Sequence, residues 1–306
     1  MASTLHVALY HPARLPIRHY GGTERVVVWL ARGLAELGHR VTLLAAPGSS
    51  VPEATLVPIE PRASAQPGGP DLTQWLPRGV DVLHAHVPLQ HPPTGLPFLW
   101  TFHGNGQPGR FFPASTVGLS ANHAERHGIT QWVHNGLDPS EYRFQAAKQD
   151  FDLYLGRLHT VKGWRWAVAG AHECGRKLVV AGGWRPSLRA GLRFAGEVAG
   201  TEKAALLADA ACLWMPALWD EPFGLTTIEA MASGTPVLGT HRGALPEVIT
   251  PASGAMGDTL EELVALRPGL AALDPEEVRA RVLEAFTHRV MAARYVALYR
   301  EAIGCG

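Results

Sequence analysis

The chain has 306 residues, 46% hydrophobic and 18% charged, with 27 basic and 27 acidic side chains; that is too long for one ordinary core and suits two domains. The even charge balance excludes the basic excess of a nucleic-acid-binding protein, and no apolar run approaches the ~18 residues that a membrane span requires. The three cysteines, Cys174, Cys212 and Cys305, are scattered and odd in number, so they make neither a disulfide framework nor a metal-ligand pair. The N-terminal MASTLHVALYH lacks the basic and long apolar regions of a secretory leader. The expected location is a reducing cytoplasm.

HVALY (6–10) reads as a strand, and the loop after it ends in Gly21-Gly22. Helical spacing through Val27, Leu30, Leu34 and Leu37 predicts a helix that stops at Gly38, and RVTLLAA (40–46) reads as the next strand. Strand, helix, strand implies a parallel sheet with a right-handed crossover. Residues 47–78, rich in Pro, Gly, Ser and Ala, read as loops. VDVLHAH (80–86), FLWTFH (98–103) and STVGLS (115–120) follow as strands, and QWVHNGLD (131–138) closes the half. The polar stretch 139–152 reads as a linker.

A second series then begins. DLYLGRL (152–158), KLVVAGG (177–183), LRFAGEV (192–198), ACLWMPAL (211–218) and TPVLGT (235–240) read as strands, with helices near 162–174, near 201–210 and after Gly224. The tail 275–303 reads as helical, with Val278, Val282, Phe286, Val290, Tyr295, Leu298 and Tyr299 available for packing. The expected architecture is α/β: two Rossmann-like, doubly wound parallel-sheet domains facing a cleft. Residues 1–145 form the first, 146–286 the second, and the helix in 287–306 returns to the first. Such sheets bind ligands at the carboxyl ends of their strands.

The stretch DEPFGLTTIEAMASGTPV (220–237) puts Glu221 in the loop before a helix and Glu229 one turn inside it. Helix N-termini carry unpaired N–H groups and about half a positive charge, so they hold phosphates. A carboxylate beside such a site repels phosphate and suits hydroxyls. Two carboxylates around one anion site therefore match a ligand with hydroxyls on both sides of a phosphate, as in a nucleotide sugar. A capped helix with an acid in its first turn is an equally good reading of this segment alone. In YLGRLHTVKGW (154–164), Arg157 lies just past a strand and Lys162 at a helix start. Fixed cations there can neutralise a departing diphosphate. Each could equally be an ordinary surface cation.

Together with GALPEVI (243–249), these segments resemble the retaining glycosyltransferases of family 4, which have the GT-B fold. YGGTERVVVWLARGLAELGHRVTLL, DVLHAH, TFHGN, VHNGLD and the tail FTHRVMAARYVALY extend the likeness over almost the whole chain. The resemblance implies that Glu221 binds donor-sugar hydroxyls and Glu229 the ribose hydroxyls. It implies amide contacts to sugar and phosphate around Phe223, Gly224, Leu225 and Thr226, and a diphosphate held by Arg157 and Lys162. Gly21 and Gly22 would let their loop approach that diphosphate, and His103 would touch the sugar near the reacting carbon. The implied reaction moves a hexose from a nucleoside-diphosphate sugar, by default UDP-linked, to an acceptor hydroxyl with retained configuration. The implied cofactor and metal requirement is none. The implied acceptor is a glycan, a lipid-linked molecule or a small molecule.

Alternatives stay open: an epimerase or phosphorylase-like enzyme of the same fold, or a non-catalytic nucleotide-sugar sensor. Arg110, Phe111 and Phe112 read either as lining the acceptor pocket or as a peripheral membrane contact, to which Arg14 and Arg18 could add. Asp150-Phe151-Asp152 mimics a metal-binding DxD but precedes a strand, so chance is the better reading. His123 and His127 lie one turn apart on what reads as an exposed helix. His84 and His86 are read as pointing to opposite faces of their strand. Trp219 is open between packing and the site.

Overall fold

The computed structural model describes residues 3–17, 21–60, 62, 70–107 and 109–304. They divide into two compact units: the described residues of Met1–Leu137 with Thr287–Gly306, and Asp138–Phe286.

In the first unit, β1 (His6–Tyr10), α1 (Gly22–Glu36), β2 (Arg40–Ala45), β3 (Thr55–Pro58), β4 (Val82–Ala85), β5 (Phe98–Thr101), β6 (Thr116–Gly118), α2 (Ala121–His127) and β7 (Gln131–Trp132) follow in chain order. The strands form one parallel sheet in the order β3-β2-β1-β4-β5-β6-β7. β1 and β4 are buried along their whole length, as expected for a parallel sheet covered on both faces. α1 buries Val26, Val27, Leu30 and Leu34. It meets the last helix of the chain, His288–Gly304, at Gly33, where a Cβ would sit 2.4 Å from the His288 carbonyl oxygen. Glu36 accepts from His288 Nε2 at 3.1 Å. Deeper in, Tyr299 Oη and His84 Nδ1 lie 2.7 Å apart, as do His84 Nε2 and Thr101 Oγ1, and Thr101 Oγ1 and Tyr295 Oη. The last helix is thus tied to β4 and β5 by a buried polar chain, which tolerates no unpaired member.

The second unit contains β8 (Asp152–Leu155), α3 (Trp164–Glu173), β9 (Leu178–Ala181), β10 (Leu192–Gly196), α4 (Gly200–Asp209), β11 (Cys212–Met215), α5 (Leu225–Ala232), β12 (Val237–Gly239), α6 (Leu245–Val248), β13 (Gly254–Met256), α7 (Leu260–Leu266) and α8 (Pro275–Ala285). Its parallel sheet runs β10-β9-β8-β11-β12-β13. Tyr154, Trp164, Ala167, Leu178, Val180, Trp214 and Leu238 share its core. Asp152 is fully buried and takes hydrogen bonds from Arg267 Nε at 2.7 Å and Trp214 Nε1 at 2.8 Å. Asp150 pairs with Arg176 at 2.6 Å. The aspartates of the DxD look-alike therefore have structural partners, in keeping with the reading as chance.

Several local readings change. β3 forms inside a stretch read as loops, because sheet pairing with β2 supplies what its Pro-flanked sequence lacks. The helical tail is two helices, and the second starts where the final helix was read. α8 starts at Asp274, which caps the Glu276 N–H, and ends at the buried Phe286; Thr287 then caps Val290. The stretch 139–152 is anchored to its own unit: Lys148 Nζ donates to the carbonyls of Ala208 and Ser233 and to Thr235 Oγ1. α2 is not simply exposed, since His123 on it is fully buried. His84 and His86 stand with ring centroids 4.3 Å apart, because residues two apart on a strand share a face. Arg18, much of 61–69 and Cys305 lie outside the described residues.

Candidate active site

In the second unit the strand order reverses between β8 and β11. The crevice at the carboxyl ends of two such strands is the natural ligand site of a doubly wound sheet. The loop after β8 carries Arg157, exposed, and Lys162, which ends a single 3-10 turn over Thr160–Lys162. The loop after β11 carries Trp219 and Glu221. Lys162 Nζ donates to Glu221 Oε2 at 2.7 Å. Trp219 Nε1 donates to the same oxygen at 2.8 Å, and Lys162 Nζ sits 4.4 Å from the Trp219 ring centroid. Two donors thus converge on one carboxylate oxygen, and no partner of Glu221 Oε1 occurs among the described residues.

Two glycines hold this arrangement. Gly163, with φ 73°, ends the 3-10 turn; a Cβ there would lie 1.7 Å from the Pro216 carbonyl oxygen. Gly243, with φ 62°, lies under Glu221; a Cβ there would come within 2.3 Å of the Glu221 backbone N and O. Ala244 N–H donates to the Glu221 carbonyl at 2.9 Å, so the 243–249 segment braces the loop that carries Glu221.

Glu221 also adjoins the start of α5. Gly224 caps that helix in the left-handed region (φ 88°), and a Cβ there would lie 3.6 Å from Glu221 Cγ. No side chain caps the helix, so Leu225 and Thr226 open it with a first turn whose N–H groups face outward from the ladder. Phe223 is buried against Phe286. Glu229, further along α5, is fully buried. Its Oε1 accepts from Tyr142 Oη at 2.8 Å, and Lys203 Nζ lies 2.8 Å from Oε1 and 2.7 Å from Oε2. A buried carboxylate requires such a counter-cation.

In the first unit, Gly21 precedes α1 and is crowded: a Cβ would meet Glu24 Oε2 at 2.7 Å and Ile17 Cδ1 at 2.8 Å. Gly22 is the first residue of α1. His103 follows β5 and is partly exposed; its Nε2 lies 2.9 Å from His86 Nδ1. Burial pushes the His103 imidazole down to about 3, with His11 and His123 adding to the shift, so the ring is neutral at ordinary pH. Phe112 is buried with Trp100 and Phe102 under the Arg110 guanidinium, whereas Phe111 is exposed.

The structure thus joins Lys162 to Glu221, places both beside the α5 N-terminus, and buries Glu229 behind it. Tyr142, Lys203, Gly163 and Gly243 were not singled out as site residues from the sequence. Their signals were faint: one lysine among four in the chain, and glycines inside TVKGW and HRGAL. Trp219, left open from the sequence, donates to Glu221 and lies beside the Lys162 ammonium.

Two parallel doubly wound sheets of this order define a GT-B glycosyltransferase architecture. The model for glycosyltransferase family 4 matches residues 20–140, and the model for group 1 glycosyl transferases matches 152–287. The solved structure of AviGT4, a glycosyltransferase involved in avilamycin A biosynthesis, superposes with a TM-score of 0.83 at 31% identity over 99% of both chains. The chain belongs to the group 1 glycosyltransferases of family 4. It is 41% identical to an MMP α-(1→4)-mannosyltransferase of Mycolicibacterium hassiacum over 33% of this chain, a match that spans only 27% of that protein. It is 27% identical to a phosphatidyl-myo-inositol mannosyltransferase of Propionibacterium freudenreichii subsp. shermanii over 92% of both.

Proposed function

We propose that the protein transfers a hexose from a nucleoside-diphosphate sugar to an acceptor hydroxyl, with retained anomeric configuration and without a metal. The observation that carries this reading is the Lys162–Glu221 pair at the switch point of the second sheet, beside an uncapped helix start. The α5 N-terminus and Lys162 offer positive potential for a diphosphate, and Glu221 offers acceptors for sugar hydroxyls. Arg157 adds a second cation. Glu229 is the proposed ribose contact, oriented by Lys203 and Tyr142. The roles that the family resemblance gives His103, Gly21 and Gly22 are part of the same proposal.

In this mechanism the nucleoside diphosphate leaves as the acceptor hydroxyl attacks the same face of the sugar. Charge growing on the leaving oxygen is the main barrier, and preorganised cations lower it without moving. The acceptor hydroxyl's proton passes to the departing phosphate oxygen, which keeps the charge balanced. UDP is the default nucleotide, and the acceptor is a glycan, a lipid-linked molecule or a small molecule. A cytoplasmic location belongs to the same proposal; no helix among the described residues is long and apolar enough to cross a membrane.

A thermal-shift panel with UDP, GDP, ADP and CDP, with and without EDTA, tests the reading. A nucleotide at 100 times its dissociation constant adds about 2.7 kcal/mol to stability. One nucleotide stabilising equally with EDTA supports a metal-free diphosphate site and names the base. No shift with any of them removes the proposal.

A further inference from the structure

In the first sheet the strand order reverses between β1 and β4, and three histidines follow the ends of neighbouring strands: His11 after β1, His86 after β4 and His103 after β5. His86 Nδ1 and His103 Nε2 share one hydrogen bond of 2.9 Å, and the rings stack with centroids 5.2 Å apart. His86 is buried, and its other nitrogen, Nε2, is fully enclosed with no hydrogen-bond partner among the described residues. His103 is partly exposed, and no partner of its Nδ1 occurs among the described residues.

The protons can be counted. Both rings are held neutral by burial, reinforced by the neighbouring His11, His84 and His123. Two neutral imidazoles carry two protons on four nitrogens. One proton lies in the shared bond. If His103 Nε2–H donates, the second proton is forced onto His86 Nε2, which buries an N–H with no acceptor. If His86 Nδ1–H donates, His86 Nε2 is a bare acceptor and the second proton sits on His103 Nδ1, the ring nitrogen free of the shared bond. A buried unsatisfied donor costs about 1–3 kcal/mol, and orphaned N–H groups are rarer than under-satisfied acceptors. The second arrangement wins.

We infer that His86 is a positioning residue: its Nδ1–H donates to His103 Nε2 and so presents His103 Nδ1 as a fixed hydrogen-bond donor. The tautomer of a histidine is set by the bond its other nitrogen makes. A neutral N–H donor suits a hydroxyl or an ether oxygen of a sugar and gives no bidentate grip on a phosphate. The consequence for turnover rests on the transferase reading above; the tautomer itself does not.

The test is the ¹⁵N spectrum of the full chain labelled in its histidine rings, with His103 assigned by its loss in His103→Gln. His103 should show a protonated Nδ1 and an unprotonated Nε2. His86→Asn puts an amide N–H where His86 Nδ1–H stands, and should preserve that pattern. His86→Asp offers only an acceptor, and should move the His103 proton to Nε2. In a transfer assay, His86→Asp should lower kcat by about 10²-fold, within the span of correctly placed proton donors, with the donor KM little changed. His86→Asn should stay close to wild type. A wild-type His103 protonated at Nε2, or a His86→Asp spectrum with the pattern unchanged, overturns the inference. If His86→Asp does not fold, the wild-type and His86→Asn spectra decide alone. A wild type with the expected tautomer but no transferase activity would sink the function and leave the tautomer standing.

Discussion

Lys162 Nζ and Glu221 Oε2 are 2.7 Å apart, although 59 residues separate them in the chain. The pair joins the loops of two adjacent strands at the switch point, and each partner holds the other in place before a ligand arrives. Preorganisation of this kind avoids reorganisation at the moment of reaction.

Replacing the cation should therefore affect chemistry more than folding. Lys162→Met is expected to lower kcat by about 10²–10³-fold, the scale for loss of one preorganised donor. The Lys162 side chain is 21% exposed, so thermal unfolding should move little. Turnover close to wild type would show that Lys162 does not meet the developing charge.

The two glutamates should separate. Glu229→Ala should weaken binding of the free nucleoside diphosphate, measured by calorimetry, because it removes the proposed ribose contact and strands Lys203. Glu221→Ala should spare that binding and lower transfer. Equal losses in both quantities from both variants would contradict the division of roles.

Gly163→Ala tests the brace. Its φ of 73° disfavours any side chain, and a Cβ would overlap the Pro216 carbonyl. The 3-10 turn must shift, carrying Lys162 away from Glu221. Activity should fall at least tenfold, a misplacement effect, while circular dichroism stays native. An active Gly163→Ala enzyme would show that the turn can move without cost.

The histidine cluster predicts acid sensitivity. Burial lowers His84 and His103 to about 3 and His123 to about 4, and holds His86 well below its ordinary value. The folded values lie below the unfolded 6.5, so the unfolded chain binds more protons as pH falls. Stability is then fully present above pH 6.5 and is lost progressively from there toward pH 3–4. Each fully buried ring contributes a slope of about 1.4 kcal/mol per pH unit in that window. Urea unfolding at pH 7.5 and pH 5 should show the loss, and the ring protons of His84 and His103 should not titrate above pH 5. Titration near 6.5 would refute it.

Much of the fold was legible because its signals are local. Buried parallel strands read as short apolar runs, and α1 announces itself by spacing and by Gly38. Arg157, Lys162, Glu221 and Glu229 stood out because strand ends and a helix start fix where their backbones must lie. Even so, β3 carried no such signal, since its stability comes from its neighbour strand. The final helix was already read as starting at 287; what the sequence did not show is that the helix before it ends on a buried Phe286, which packing decides.

The sequence by itself determined the two parallel sheets, the balanced charge and the residues that would stand at the strand ends, all of which follow from chain-local periodicity and spacing. Tertiary structure alone decided the partners. That Lys162 meets Glu221, that Lys203 and Tyr142 hold Glu229, and that His86 Nδ1 meets His103 Nε2 are contacts between residues 17 to 87 positions apart. No periodicity encodes such pairings; they exist because adjacent strands bring their carboxyl-end loops together, and because a buried charge or imidazole must find a partner where water is excluded.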